Sequence, residues 1–421
     1  MKNIAKYTVI SIFILMLYTA CPHNKRAYPD ITSGSQDSVP SAPYVEGGIS
    51  LVVSKHKKTI ELTVKASGSS NIVLEGADKS NITSNNTDTV TVNGRVLIIK
   101  PATGGQLTEF TCIDQKIMRI NASGCKTLTS LTCNKNLLDT LKVHTEAKLT
   151  HVTCTENRLT DFDTQSCKEL VSLECGKNNL TSLNLTNLTH LRKANCRENP
   201  RLTQLTVTGC INLEDLDCSG SKLTALTADN LSKLKELDCS KNNLSQLTVT
   251  GCSVLENLKC SQNKLQTLDA GNLPKLDTLN CSSNELTQLN VQNCPELSSI
   301  NCYDNKLPNL NASNLTKLQT LLCDTNELTG IDISGAAAVL HEIECYNNKL
   351  DAQAVKTLLN ALPDRTSAVT EGKIVLCKKE GETGNITDFT QPADLLAAVN
   401  TAKGHKWKLY KKTDTEPGEE I

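Results

Sequence analysis

A chain of 421 residues with a formal net charge of −1 has no global field with which to hold a polyanion, so nucleic acid is not an expected partner. Aromatic residues are 3% of the chain while hydrophobic residues in total are 38%, which leaves aliphatic side chains to build the core. Cysteine, with nineteen copies, is the unusual count, and its placement decides how it is read.

Lys2 and Lys6 precede an apolar run from Tyr7 to Tyr18, followed by Thr19-Ala20-Cys21. This is the layout of a secretory signal over 1–20 ending at a lipoprotein cleavage site, with Cys21 as the lipidated residue that holds the chain to a membrane. Tyr18 stands where such sites usually carry leucine, so a plain signal peptide cut elsewhere is the alternative. The run falls short of the ~20 residues of a membrane-spanning helix. Residues 21–47 are rich in Pro, Ser, Gly and charge, the composition of a flexible tether. From 48 to 106, alternating segments such as "TIELTVKA" and "VTVNGRVLIIK" between Gly, Ser and Asn clusters predict an N-terminal β cap.

From Leu107 to Leu350 twelve cysteines recur at one place in a repeat of about 21 residues, Cys112, Cys133, Cys154, Cys175, Cys196, Cys218, Cys239, Cys260, Cys281, Cys302, Cys323 and Cys345. The shared pattern is LxxLxCxxNxLxxLx(V/A), seen cleanly from Leu234 to Val254, and only two insertions break it, beside Pro200 and at Ala336 to Ala338. A period of 20 to 29 residues with this leucine spacing predicts a leucine-rich-repeat solenoid, in which each repeat buries its apolar side against its neighbours. Leu-x-Cys has the two-residue period of a strand, so Leu237 and Cys239 face inward while Glu236, Asp238 and Ser240 face outward. The asparagine three residues after each cysteine, with Ser221 as the one substitution, is expected to satisfy backbone groups of adjacent rungs. Leu-x-(Val/Ala) in the second half of each repeat predicts a second parallel sheet. From Leu170 onward its rungs alternate: Val249 goes with Cys252, Ala270 with Leu273, a swap that keeps core volume nearly constant.

Twelve in-register copies of this motif, over more than half the chain, resemble the bacterial leucine-rich repeats of the internalin type, most closely the cysteine-ladder (internalin J-like) subgroup. The resemblance implies a curved, exported solenoid that binds a protein or glycan at a bacterial surface, in some members as an adhesin. Two features depart from that family: no cell-wall sorting motif appears, and the aromatic-rich binding face is largely missing.

Residues 351–412 change to a helical period in "LDAQAVKTLLNALPDR", with Asp351 as N-cap and Pro363 as stop, then a strand at Lys373 to Cys377, a helix from Ala393 to Ala402 and a strand from Lys406 to Tyr410. This α/β piece is the expected C-terminal cap, since an open last rung would expose apolar side chains and strand edges. The acidic stretch 413–421 is expected to be disordered.

An exported chain invites disulfides, yet rungs about 4.8 Å apart carry parallel side-chain vectors, while a disulfide needs converging Cβ atoms roughly 3.5 to 4.5 Å apart. Cys125, Cys167, Cys210, Cys252 and Cys294 recur only on alternate rungs, farther apart still. Both series are expected to be small buried hydrophobes, and Cys377 to be a free thiol. A line of thiols in an aliphatic layer is likewise no tetrahedral zinc site. No histidine offers a base beside a nucleophile, and the cap holding Cys377 and His405 is short for a catalytic domain, so neither enzyme activity nor a cofactor is expected.

Two surfaces remain. Tyr303, Leu322 and Tyr346 occupy outward positions on three consecutive rungs, either as a docking patch or packed under the C-terminal cap. Arg192, Lys193, Arg197 and Arg201 crowd another rung, either to meet an acidic protein or glycan or as a solvated face paired with Glu198, Glu214 and Asp215. The expected protein is thus lipid-anchored to the bacterial envelope, presents its solenoid at the cell surface and binds a macromolecule. The alternative is a structural scaffold inside the envelope.

Overall fold

From the Cys133 rung onward each repeat contributes a three-residue strand whose central aliphatic residue and following cysteine point into the core. Leu237 and Cys239 are buried, while Glu236 is exposed. The strands stack in parallel with unbroken register, so that Leu216, Leu237, Leu258, Leu279, Ile300 and Leu321 form one inward line. This first sheet begins at Gln106–Thr111 and runs through Glu342–Glu344. The computed structural model describes residues 38–378, 384–413 and 418–421, so the signal segment and Cys21 lie outside the described residues. Pro40–Ile421 form one compact unit.

Asparagine joins the rungs at the end of each first-sheet strand. The Asn242 amide nitrogen donates to the Cys218 carbonyl of the preceding rung at 3.0 Å and to the Cys239 and Ser240 carbonyls of its own at 3.1 and 3.2 Å. Its Oδ1 accepts from the Leu223 N–H at 3.0 Å. One side chain thereby serves four backbone groups that the turn removes from water. Two rungs depart from the pattern besides the ordinary ones. On the Cys112 rung, Gln115 takes the place and accepts from the Glu61 N–H of the N-terminal cap, a second substitution that the motif reading missed. At Ser221 the preceding rung carries the insertion beside Pro200, and Leu202 closes on the Asn199 carbonyl of its own turn at 2.9 Å. The N–H that a ladder asparagine would have accepted is already taken, and the buried Ser221 hydroxyl has no partner among the described residues.

The second half of the rungs does not form the continuous second sheet expected from Leu-x-(Val/Ala). Its strands pair in twos: Ser182–Asn184 with Gln204–Thr206, Ala225–Thr227 with Gln246–Thr248, Thr267–Asp269 with Gln288–Asn290, and Asn309–Asn311 with Gly330–Asp332. The volume alternation read in the sequence follows these pairs. Within the second and third pairs the thiol of the later rung donates back to the alanine carbonyl of the earlier one, Cys252 to Ala228 and Cys294 to Ala270, each at 3.1 Å; Cys210 does the same to Leu185 at 3.0 Å. The left-handed turn position that follows alternates between asparagine and glycine as well, except in the third pair, where Asn293 stands in place of the glycine. Asn230 (φ 60°) is succeeded by Gly251 (φ 80°), where an added Cβ would lie 2.8 Å from the Asn230 side chain.

Both ends are closed. At the N-terminus a six-stranded sheet, with Ile49–Val53 at its centre and Thr140–Val143 of the second rung at its edge, shares one core with Thr59–Ser67 and Thr87–Thr91, which extend the first sheet antiparallel. Part of the segment expected to be tether belongs to this cap. Val45 is buried, the Asn121 amide donates to the Ala42 carbonyl at 3.0 Å, and Gly47 pairs with Gly124 at 2.9 Å. The approach is so close that a Cβ at Gly124 would lie 1.8 Å from the Val45 carbonyl oxygen.

At the C-terminus helix α1 (Ala352–Asn360), capped by the Asp351 carboxylate on the Ala354 N–H, leads to the strand Gly372–Lys378. Helix α2 (Ala393–Gly404) leads to the strand Trp407–Lys412. Both strands continue the first sheet in parallel, and Glu419–Glu420 pairs antiparallel with the outermost one, so the tail expected to be disordered is ordered at 418–421. Cys377 is buried in this added rung one residue past Leu376, which takes the ladder-cysteine position. Asn385 serves as its ladder asparagine, accepting from Leu350 at 2.9 Å and donating to the Cys345 carbonyl at 2.8 Å. The buried Arg365 guanidinium ties the cap to the Ala336–Ala338 insertion by donating to the Ala338 and Leu340 carbonyls, and it lies 5.7 Å from the Trp407 ring.

Asn263→Ala removes a ladder side chain that donates to Cys239, Cys260 and Ser261 and accepts from Leu244. Leaving these groups unpaired is expected to cost about 2 to 4 kcal/mol, read as a lowered urea midpoint; a loss under 0.5 kcal/mol would contradict the account.

Candidate binding surface

With leucine, cysteine and asparagine committed to the interior, the side chains left to act are those beside each first-sheet leucine. One outward line reads Ser172, Lys193, Asp215, Glu236, Asn257, Thr278, Ser299 and Thr320, and its neighbour reads Glu174, Asn195, Asp217, Asp238, Lys259, Asn280, Asn301 and Leu322. Over the Cys218 and Cys239 rungs they line a shallow depression of about 250 Å³, with Asp215, Asp217, Glu236 and Asp238 between Lys193 and Lys259. Burial, reinforced by the Glu236 and Asp217 carboxylates, raises the Asp215 pKa against the pull of Lys193. The Glu174 carboxylate, hydrogen-bonded to Lys193, raises the lysine's pKa.

The four basic residues singled out in the sequence do not share one fate. Arg192 pairs with Glu214 at 3.1 Å, Lys193 with Glu174 at 3.1 Å and Asp215 at 4.0 Å, and Arg197 with Asp217 and Glu198, each at 3.9 Å. Arg201 is exposed in the insertion loop. The cluster is therefore the basic half of a mixed-charge region. Such half-exposed pairs add little stability but fix where charge of each sign lies along the sheet.

Tyr303, Leu322 and Tyr346 do lie together, each half-buried, on consecutive rungs. Between the tyrosines sits Asp324. Tyr303, Asp324 and Tyr346 each follow a ladder cysteine, and their rungs are joined by Asp304 N–H to Asp324 O and Thr325 N–H to Tyr346 O, both 3.1 Å. Asp324 is buried and accepts from the Thr325 hydroxyl at 3.1 Å. Burial pushes its pKa up to about 6, with Glu344 adding to the rise and hydrogen bonds from Tyr346 and Thr325 opposing it. The cap reaches the patch at one edge, where the Lys412 ammonium lies 5.5 Å from the centre of the Tyr346 ring. Lys373 pairs with Glu344 at 3.1 Å and Glu342 at 3.7 Å. The sequence signal for Asp324 was available, since it shares a column with both tyrosines.

Burial likewise raises the thiols, Cys154 to about 12 and Cys377 to about 11, so they stay protonated at neutral pH. All eighteen described cysteines are buried and free of disulfides. Among the described residues no group of three or more His, Cys, Asp or Glu side chains is placed to hold a metal ion.

A raised carboxyl pKa favours the folded state below the ordinary value of 3.8 and loses that advantage as pH rises through about 6. Relative to Asp324→Asn, the native chain is expected to lose on the order of 2 kcal/mol between pH 4 and pH 7, measured by urea unfolding at both pH values. Parallel pH dependence in the two proteins would contradict this.

No protein-family model matches the chain, and no curated protein matches it. Solved structures do. YopM from Yersinia enterocolitica is 23% identical with a TM-score of 0.50, over 61% of this chain and 54% of that one, so the match spans about half the length of YopM. The functional domain of InlJ from Listeria monocytogenes, which includes a cysteine ladder, is 23% identical over 70% of this chain and 78% of that one, with a TM-score of 0.37. The internalin InlF from the same organism is 19% identical over 73% and 87%, with a TM-score of 0.46. Together with the 21-residue rungs and the buried thiol line, the likeness to YopM gives the chain the fold of a leucine-rich-repeat solenoid, here built on a cysteine ladder.

Proposed function

We propose that this protein is a lipid-anchored bacterial envelope protein, displayed at the cell surface, whose first sheet binds a protein or glycan of another cell or of a host. One observation carries the binding reading. Inward positions repeat the same few residues from rung to rung, whereas the outward line changes from lysine to acid to amide to hydroxyl over Lys193, Asp215, Asn257 and Thr278. A face kept only for solubility has no need of such a sequence of charges, and binding specificity is written in complementary charge and a few aromatic anchors. Lys2, Lys6, the apolar run and Cys21 support export and anchoring. Binding, with no reaction, is the mechanism.

Location separates this reading from that of an envelope-internal scaffold. Cys21→Ser is expected to abolish incorporation of labelled palmitate and to release the solenoid into the soluble fraction. Protease added to intact cells is expected to remove the repeats. Protection until the cells are permeabilised would contradict surface display and favour the scaffold.

A further inference from the structure

Outside the core itself, neighbouring rungs are held together by first-sheet pairing, by the ladder asparagine and, at alternate joints, by strand pairing in their second halves. Between the Cys218 and Cys239 rungs all three are present, with Asn242 on one side and Ala225–Thr227 paired to Gln246–Thr248 on the other. Between the Cys239 and Cys260 rungs the second halves are unpaired, but Asn263 donates to the Cys239 carbonyl at 3.0 Å and accepts from Leu244 at 2.9 Å. Asn305 does the same between the Cys281 and Cys302 rungs, to Cys281 at 3.1 Å and from Leu286 at 2.9 Å. Among the described residues, the joint between the Cys196 and Cys218 rungs has neither of the last two. Gln204–Thr206 and Ala225–Thr227 belong to different two-stranded pairs. Ser221 stands at the ladder position, with one hydroxyl proton where an amide has two, and the N–H it would have received, that of Leu202, turns back to Asn199. Gly220 (φ 68°) holds the left-handed turn that Glu198 and Lys241 hold in the flanking rungs, which leaves the backbone freer there.

First-sheet pairing does cross this joint, with Lys193, Ala194 and Asn195 opposite Asp215, Leu216 and Asp217. On its exposed side the basic cluster crosses it as well: Arg192 to Glu214 at 3.1 Å, Lys193 to Asp215 at 4.0 Å and Arg197 to Asp217 at 3.9 Å each join one rung to the other. Exposed pairs of this kind hold weakly and are screened by salt. In a stack whose stability is a sum of rung and interface contributions, the weakest interface decides where the stack parts first. We infer that the Cys196–Cys218 joint is a hinge that divides the solenoid into two cooperative blocks, with the basic cluster as a salt-sensitive clasp across it. The hinge does not depend on what the first sheet binds. Lys193, Asp215 and Asp217 also line the shallow depression, so opening at the joint changes the spacing of its charges.

The test is native-state hydrogen exchange of the full chain, read amide by amide. It compares donors that cross this joint with their counterparts at the Cys239–Cys260 joint, which keeps its asparagine but also lacks second-half pairing. The donors are Cys196 N–H to Asp217 at 2.8 Å and Glu198 N–H to Ser219 at 2.7 Å, against Cys239 N–H to Lys259 at 2.8 Å and Lys241 N–H to Ser261 at 2.9 Å. Two missing ladder bonds predict exchange about tenfold or more faster at the first joint. Salt at about 1 M is expected to widen that ratio about twofold or more, because among the described residues no ion pair spans the second joint. Ser221→Asn, which restores the amide, should slow the first pair of donors about fivefold or more, and Asn263→Ser should speed the second pair about tenfold. Equal exchange at the two joints of the native protein would overturn the hinge, whether or not either variant folds. Unchanged exchange in a folded Ser221→Asn would overturn its assignment to the missing asparagine, and a ratio unmoved by salt would overturn the clasp.

Discussion

The hydrogen bonds of the asparagine ladder are the constraint from which the rest of the structure follows. A turn that closes a rung every 21 residues strips water from backbone groups that no strand can pair, and the Asn242 type of side chain answers four of them across two rungs. That bond set holds only if successive rungs superpose, so it imposes strict register on the first sheet. Register in turn brings the same inward position of every rung to the same depth in the core. Leucine and cysteine recur there because a stacked interior admits one volume at each level. The thiols are a consequence of stacking: parallel, buried and protonated, they fill the space beneath the strands without bonding to one another.

The second half of the rung is under a looser rule, and the difference is instructive. There the strands pair in twos, and the small thiol of one rung reaches the alanine carbonyl of the one before it. The structural unit on that side is therefore two rungs, or about 42 residues, although the unit on the asparagine side is one. What the interior fixes cannot vary, and what varies from rung to rung lies beside the strands, as alternating charge over the Cys196 to Cys260 rungs and as rings at the C-terminal end.

Much of this was legible in the chain itself. The period, the inward Leu-x-Cys parity and the ladder asparagines all come from spacing and strand geometry, and the structure bears them out. Other features were hidden for identifiable reasons. Asn385 continues the asparagine ladder, but leucine, Leu376, holds the cysteine's place in that rung and eight residues separate the two where a rung has two, so the motif could not be seen. Gln115 escaped because its partner, the Glu61 N–H, lies far off in the chain. The ordering of Pro40–Gly47 depends on Gly124, whose missing side chain admits the Val45 carbonyl, a contact that composition does not report. At the candidate site the two tyrosines and Leu322 were placed correctly as neighbours. The seated Lys412 was not foreseeable, since it arrives from the cap through a strand pairing outside the repeat.

A single stacked core, shut at both ends, holds every thiol from Cys112 to Cys377 buried and free of disulfides. The direct test is a thiol titration of the full protein purified without reductant, before and after denaturation. Essentially no reaction of Cys112 to Cys377 is expected in the folded protein, and all eighteen of these thiols react once it is unfolded, with the nineteenth cysteine, Cys21, counted separately through a Cys21→Ser variant. A substantially smaller number after unfolding, or rapid labelling of ladder cysteines in the native state, would mean disulfides or an open core and would contradict it.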